Sequence, residues 1–78
     1  MNIKDTTIGY YRKKLNLSQQ DLAKLLNTTQ TNISFIETKR QYPDTETAQK
    51  LADILKTTIG KLYTETELEL MRSKENDY

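Results

Sequence analysis

Two short apolar stripes at helical spacing, held apart by a few polar residues, constrain this chain more than any other feature. In QQDLAKLLNTTQTNISFIE, residues 19–37, Leu22, Ala23 and Leu26 share one helical face, and Ile33 and Ile36 share another. The knot between them, Asn27-Thr28-Thr29-Gln30, leaves room only for a tight turn. Asn27 tolerates the left-handed conformation that ends a helix. Thr28 or Thr29 then offers a hydroxyl to cap the next one. With Ile33 and Ile36 turned inward, the second helix directs Gln30, Thr31, Ser34 and Phe35 outward, a face without a carboxylate.

The rest of the chain reads as helix too. It holds two glycines and one proline, and no stretch sustains the alternation of a strand. A first helix is expected over residues 7–15, capped by Thr6 or Thr7, burying Ile8, Tyr11 and Leu15 and stopping at Asn16. Ser18 caps the second, with Asp21 as its acidic first-turn residue. After a polar loop, residues 38–43, Pro43-Asp44 opens a fourth helix in which Ala48, Leu51, Ala52 and Leu55 form a clean stripe. Thr57 or Thr58 starts a short fifth helix with Ile59, Leu62 and Tyr63. From Thr64 the chain either adds a weak helix around Leu68 and Met71 or frays.

Composition removes several functions. Without Cys or His there is no thiolate or imidazole for catalysis, no disulfide and no structural zinc site, so no metal or cofactor is expected. A chain of 78 residues forms one domain with a thin core. No apolar run is long enough to span a membrane, and the default location is the cytoplasm. The net charge of +1 conceals an asymmetry. Residues 1–63 carry ten Lys/Arg against six Asp/Glu, and residues 64–78 carry two against five. A basic body suits an anionic partner, and an unevenly solvated surface would look the same.

Residues 7–63 resemble the lambda-repressor-like, xenobiotic-response-element type of helix-turn-helix regulators. The likeness rests on Leu17-Ser18-Gln19, on Leu22-Ala23 in the first motif helix and on Asn27 at the turn. It extends to Ile33 and Ile36 in the recognition helix, and to Pro43-Asp44 and Leu51-Ala52-Asp53-Ile54-Leu55 beyond it. It implies an all-α fold: a compact five-helix DNA-binding domain over residues 1–63, its motif at 19–38, with an acidic extension at 64–78. Asn16, Asn27 and Lys39 stand where the family favours glycine. Lysine is the least comfortable of them at positive φ, so the turn at Lys39 is where a departure is expected.

The resemblance also implies roles. Gln30, Thr31, Ser34 and Phe35 would face base edges, Gln30 as a bidentate partner of adenine. Phe35 would meet a thymine methyl or else fold into the core. Gln19, Thr29, Asn32, Lys39, Arg40 and Tyr42 would contact phosphates, with Gln19 also buttressing Gln30. Lys13 and Lys14 would add long-range attraction. Arg12 and Glu37 would form an ion pair that pins the recognition helix to the body.

The function expected is a DNA-binding transcriptional regulator, a repressor acting as a homodimer on a near-palindromic duplex, with Tyr63, Leu68 and Met71 at the dimer interface. An antitoxin-type protein, whose acidic tail holds a toxin partner while the body autoregulates, is the alternative. An antirepressor is another partner of that kind. Enzymatic activity is not expected, since the carboxylates Glu37, Asp44 and Glu46 have structural uses.

Overall fold

A computed structural model describes residues 6–75 of the chain. Those residues form six helices and no strand: α1 (Thr7–Lys14), α2 (Gln19–Leu26), α3 (Gln30–Glu37), α4 (Thr45–Ile54), α5 (Ile59–Leu62) and α6 (Glu65–Glu75). They fall into two units, Met1–Gln41 and Tyr42–Tyr78. Residues 1–5 of the expected DNA-binding part, and Asp77 of the acidic extension, lie outside the described residues.

In the first unit, α3 packs against both α1 and α2. Its core is Ile8, Leu22, Ala23, Ile33 and Ile36, each no more than 4% exposed. Tyr11, Leu15 and Leu26, expected in the same stripes, are only half-buried. In the second unit, α4 packs against α5 and against α6. Ala48, Leu51 and Ala52 are fully enclosed there, with Leu55 and Leu62 nearly so.

Side-chain caps start most of the helices. Thr6 Oγ1 accepts from the Gly9 N–H at 2.9 Å, and Thr29 Oγ1 from the Asn32 N–H at 3.1 Å. Ser18 and Asp21 form a reciprocal box. The Ser18 hydroxyl accepts from the Asp21 N–H, and the Asp21 carboxylate accepts from the Ser18 N–H, both at 2.9 Å. Asp44 Oδ1 accepts from the Thr47 N–H at 2.8 Å. A second box opens α6. Thr64 Oγ1 accepts from the Glu67 N–H at 3.1 Å, and Glu67 Oε1 accepts from the Thr64 N–H at 2.8 Å.

The carboxylate caps make stability depend on pH. The Ser18 backbone N–H, then its hydroxyl, hold Asp21 below the usual carboxylate range, and Thr47 does the same for Asp44. A depressed folded-state pKa contributes stability above the unfolded pKa and loses it as pH falls through the folded one. The melting temperature should therefore decline on acidification from about pH 6 to about pH 2, with most of the loss below about pH 4. Asp21→Asn and Asp44→Asn should each shrink that decline in a series of thermal melts.

One device ends α1, α2, α3 and α4. The N–H of Leu17, Thr28, Arg40 and Thr57 reaches back to the carbonyl of Arg12, Ala23, Phe35 and Ala52, respectively, at 2.8–3.2 Å. The residue before each donor is left-handed: Asn16, Asn27 and Lys56 at φ 59° and Lys39 at 64°. This is a Schellman closure built without glycine. Lys39 thus adopts the positive φ it was expected to avoid, because the returning Arg40 N–H is geometrically impossible otherwise. Lys56 gave no such signal in the sequence. A Cβ in this region is strained, so Lys56→Gly should stabilise the fold by up to about 1 kcal/mol in a denaturant titration.

Candidate nucleic-acid interface

The surface of interest lies in the first unit and is organised around one buried charge pair. Arg12, at the end of α1, and Glu37, at the end of α3, are 8% and 5% exposed. Arg12 Nε lies 2.5 Å from Glu37 Oε2, and its Nη2 reaches Glu37 Oε1 at 3.4 Å. The third guanidinium nitrogen, Nη1, donates to the Leu17 carbonyl at 2.8 Å. One side chain therefore ties α1, the loop before α2, and α3. Gly9 lies beside the pair, and a Cβ there would crowd the Thr6 cap, 2.8 Å from Thr6 Oγ1, while only touching Glu37 Oε1 at 3.4 Å. A glycine inside a helix usually has such a packing reason.

From Glu37 the contacts run outward. Gln19, the first residue of α2, donates its Nε2 to Glu37 Oε1 at 3.1 Å. Its Oε1 accepts from Gln30 Nε2 at 3.3 Å. Gln30, the first residue of α3, is exposed. Beside it Thr31 is exposed and Ser34 is half-buried, while Ile33 and Ile36 are turned inward.

Phe35 stays at the surface, 36% exposed, and does not fold into the core. The Arg40 guanidinium lies 5.9 Å from its ring centroid, within cation–π range. The N–H groups of Arg40 and Gln41 both return to the Phe35 carbonyl, at 2.9 and 3.3 Å, which fixes the loop after α3. Arg40 is exposed and Lys39 half-buried. Thr38 donates its hydroxyl to the Ser34 carbonyl at 2.9 Å.

Several side chains expected at a phosphate or at a dimer interface have partners within the chain. Asn32, expected at a phosphate, donates its Nδ2 to Thr28 Oγ1 at 2.8 Å and braces the turn between α2 and α3. Thr29 is exposed, and its hydroxyl is the α3 cap. In the second unit the Tyr42 hydroxyl, another expected phosphate donor, donates to Glu67 Oε2 at 3.0 Å. Its single proton is spent on that bond, and the carboxylate beside it would repel a phosphate. Burial, then the Glu67 bond, raise the Tyr42 pKa. Tyr63, Leu68 and Met71, expected at a dimer interface, are 2%, 6% and 1% exposed. They pack into the core of the second unit. Burial also pushes the Tyr63 phenol up.

The sequence alone did not reveal the Leu17 carbonyl, Gly9 or the Gln19–Glu37 bond as parts of this surface. Only Gly9, a lone glycine within a helical pattern, carried a signal.

The sequence matches a family model described as helix-turn-helix over residues 8–62, a span that takes in α2, the turn and α3. The chain belongs to the Cro/C1-type helix-turn-helix family. The match covers most of the chain and supports a DNA-binding transcription regulator of the xenobiotic-response-element type. No curated protein and no solved structure matches it. Among the described residues, no helix of this helix-turn-helix regulator is long and apolar enough to cross a membrane.

Proposed function

We propose that this regulator reads duplex DNA sequence by laying α3 in the major groove. Gln30, Thr31, Ser34 and Phe35 face base edges, and Gln19, Thr29, Lys39 and Arg40 face the sugar-phosphate backbone. One observation carries the reading. The solvent side of α3 offers amide, hydroxyl and aromatic groups and no carboxylate, while its apolar side is fully used by Ile33 and Ile36. Those groups can donate to and accept from base edges, and the first turn of a recognition helix is the part that reaches them.

The protein acts as a cytoplasmic repressor, in pairs, on a near-palindrome. A single module reads too few base pairs for specific affinity, and paired modules present two recognition helices about one DNA turn apart. Residues 1–63 are the DNA-binding part, and residues 64–78 are an extension whose helix shares a core with α4. A toxin-holding tail has less support, because Leu68 and Met71 are already covered.

Selection of bound duplexes from a random pool tests the reading. A near-palindrome with half-sites about 10 base pairs apart supports it. No enrichment even in dilute buffer would sink it. On the selected site, Gln30→Ala should cost roughly 1–3 kcal/mol of binding and relax the preference at one position per half-site. A gel-shift series on point variants of the site reads both quantities, and unchanged preference at every position would remove Gln30 from base readout.

A further inference from the structure

We propose that Glu37 is a positioning residue for base readout, setting the donor–acceptor polarity of Gln30 through Gln19. The inference rests on the DNA-binding reading above. A carboxylate offers acceptors only, so Gln19 must turn its amino group toward Glu37. The planar amide then presents its carbonyl oxygen on the opposite side, and Gln30 must meet it with an N–H. Gln30 is left with one N–H and one carbonyl oxygen to offer a base.

That pair has a definite complement. The major-groove edge of adenine presents N7 as an acceptor and its 6-amino group as a donor, which match one N–H and one carbonyl. Guanine presents two acceptors, N7 and O6. Meeting both would take both N–H groups of Gln30, and one is committed to Gln19. The polarity imposed from Glu37 therefore favours adenine over guanine.

Gln19 alone could not impose it, because an amide can present either end to its neighbour. Glu37 cannot rotate away, since Arg12 holds both of its oxygens and is itself held by the Leu17 carbonyl. The buried ion pair thus fixes more than the packing of α1 on α3: it sets which end of an exposed amide faces the groove.

The test compares binding to two duplexes that differ, A·T against G·C, at the position whose preference is lost in Gln30→Ala. The wild-type protein should favour adenine by about tenfold or more. Glu37→Gln can accept or donate, so the preference should fall by about tenfold. Gln19→Met should lower it similarly, and the double variant should lower it no further than either single change. A merely structural role for Glu37 would weaken both duplexes equally and leave their ratio intact. An unchanged ratio in Glu37→Gln, or losses that multiply in the double variant, would overturn the inference. If Glu37→Gln does not fold, Arg12→Met with Glu37→Gln leaves no isolated buried charge and is read in the same way. In the wild-type protein, nuclear Overhauser contacts should join the Gln19 amide protons to the Glu37 side chain. Their absence would also overturn the inference. A wild-type protein that binds no duplex would instead overturn the DNA-binding reading itself.

Discussion

Glu37→Ala is expected to destabilise the protein by about 3–5 kcal/mol. Arg12 is 8% exposed and directs three nitrogens inward, two to Glu37 and one to the Leu17 carbonyl. Without Glu37 the guanidinium keeps its charge, because arginine does not deprotonate in a protein, and it must either stay in a low-dielectric site or swing out to solvent and release the Leu17 carbonyl. Small domains hold roughly 5–15 kcal/mol in all, so this single change would consume much of it. The magnitude reflects a stranded charge more than the value of the pair. Arg12→Met combined with Glu37→Gln removes both charges and should therefore cost much less than Glu37→Ala. Denaturant titrations of the three proteins separate the cases. A loss below about 1 kcal/mol for Glu37→Ala would mean that the pair behaves as a surface one.

Leu51→Ala is expected to cost about 2–5 kcal/mol through a different mechanism. Leu51 is completely buried in the second unit, flanked by Ala48 and Ala52 on α4 and by Leu55 just past its end, all nearly or wholly enclosed. Two of those neighbours are alanines, too short to reach into the space a leucine vacates, so the cavity should persist. Leu51→Met keeps the volume and should cost less than about 1.5 kcal/mol. Equal losses for the two substitutions would show that shape, not lost volume, governs this core. Circular dichroism melts of both variants distinguish the outcomes.

These two changes fall where sequence and structure contributed differently. The Leu51 stripe was legible in the residues, because a helix buried on one face must repeat apolar side chains at its own period. The caps at Ser18, Thr29 and Asp44 were legible for a similar reason. Each bond joins a side chain to an N–H three residues on, so the signal and the contact lie in the same short segment. Asn16 and Asn27 announced their left-handed backbone. Lys39 and Lys56 did not, since lysine has no preference for that region and takes it only because the helix closure demands it.

The fate of apolar residues near the end was not legible. Leu68 and Met71 repeat at helical spacing, which says that something covers them. It does not distinguish α4 from a second copy of the chain. Tyr42 likewise has a hydroxyl suited to a phosphate, and Glu67, 25 positions away, takes it.

By itself the sequence determined the first five helices, the neighbourhood of their starts, the tight turn between two of them, and the residues facing outward from the second of that pair. These are properties of neighbours along a chain, governed by helical period and local hydrogen bonds. Tertiary structure alone decided which end of the Gln19 amide meets Glu37, 18 residues distant, and so what Gln30 can offer. A carboxylate and two amides acquire a direction only when folding brings them within a hydrogen bond of one another.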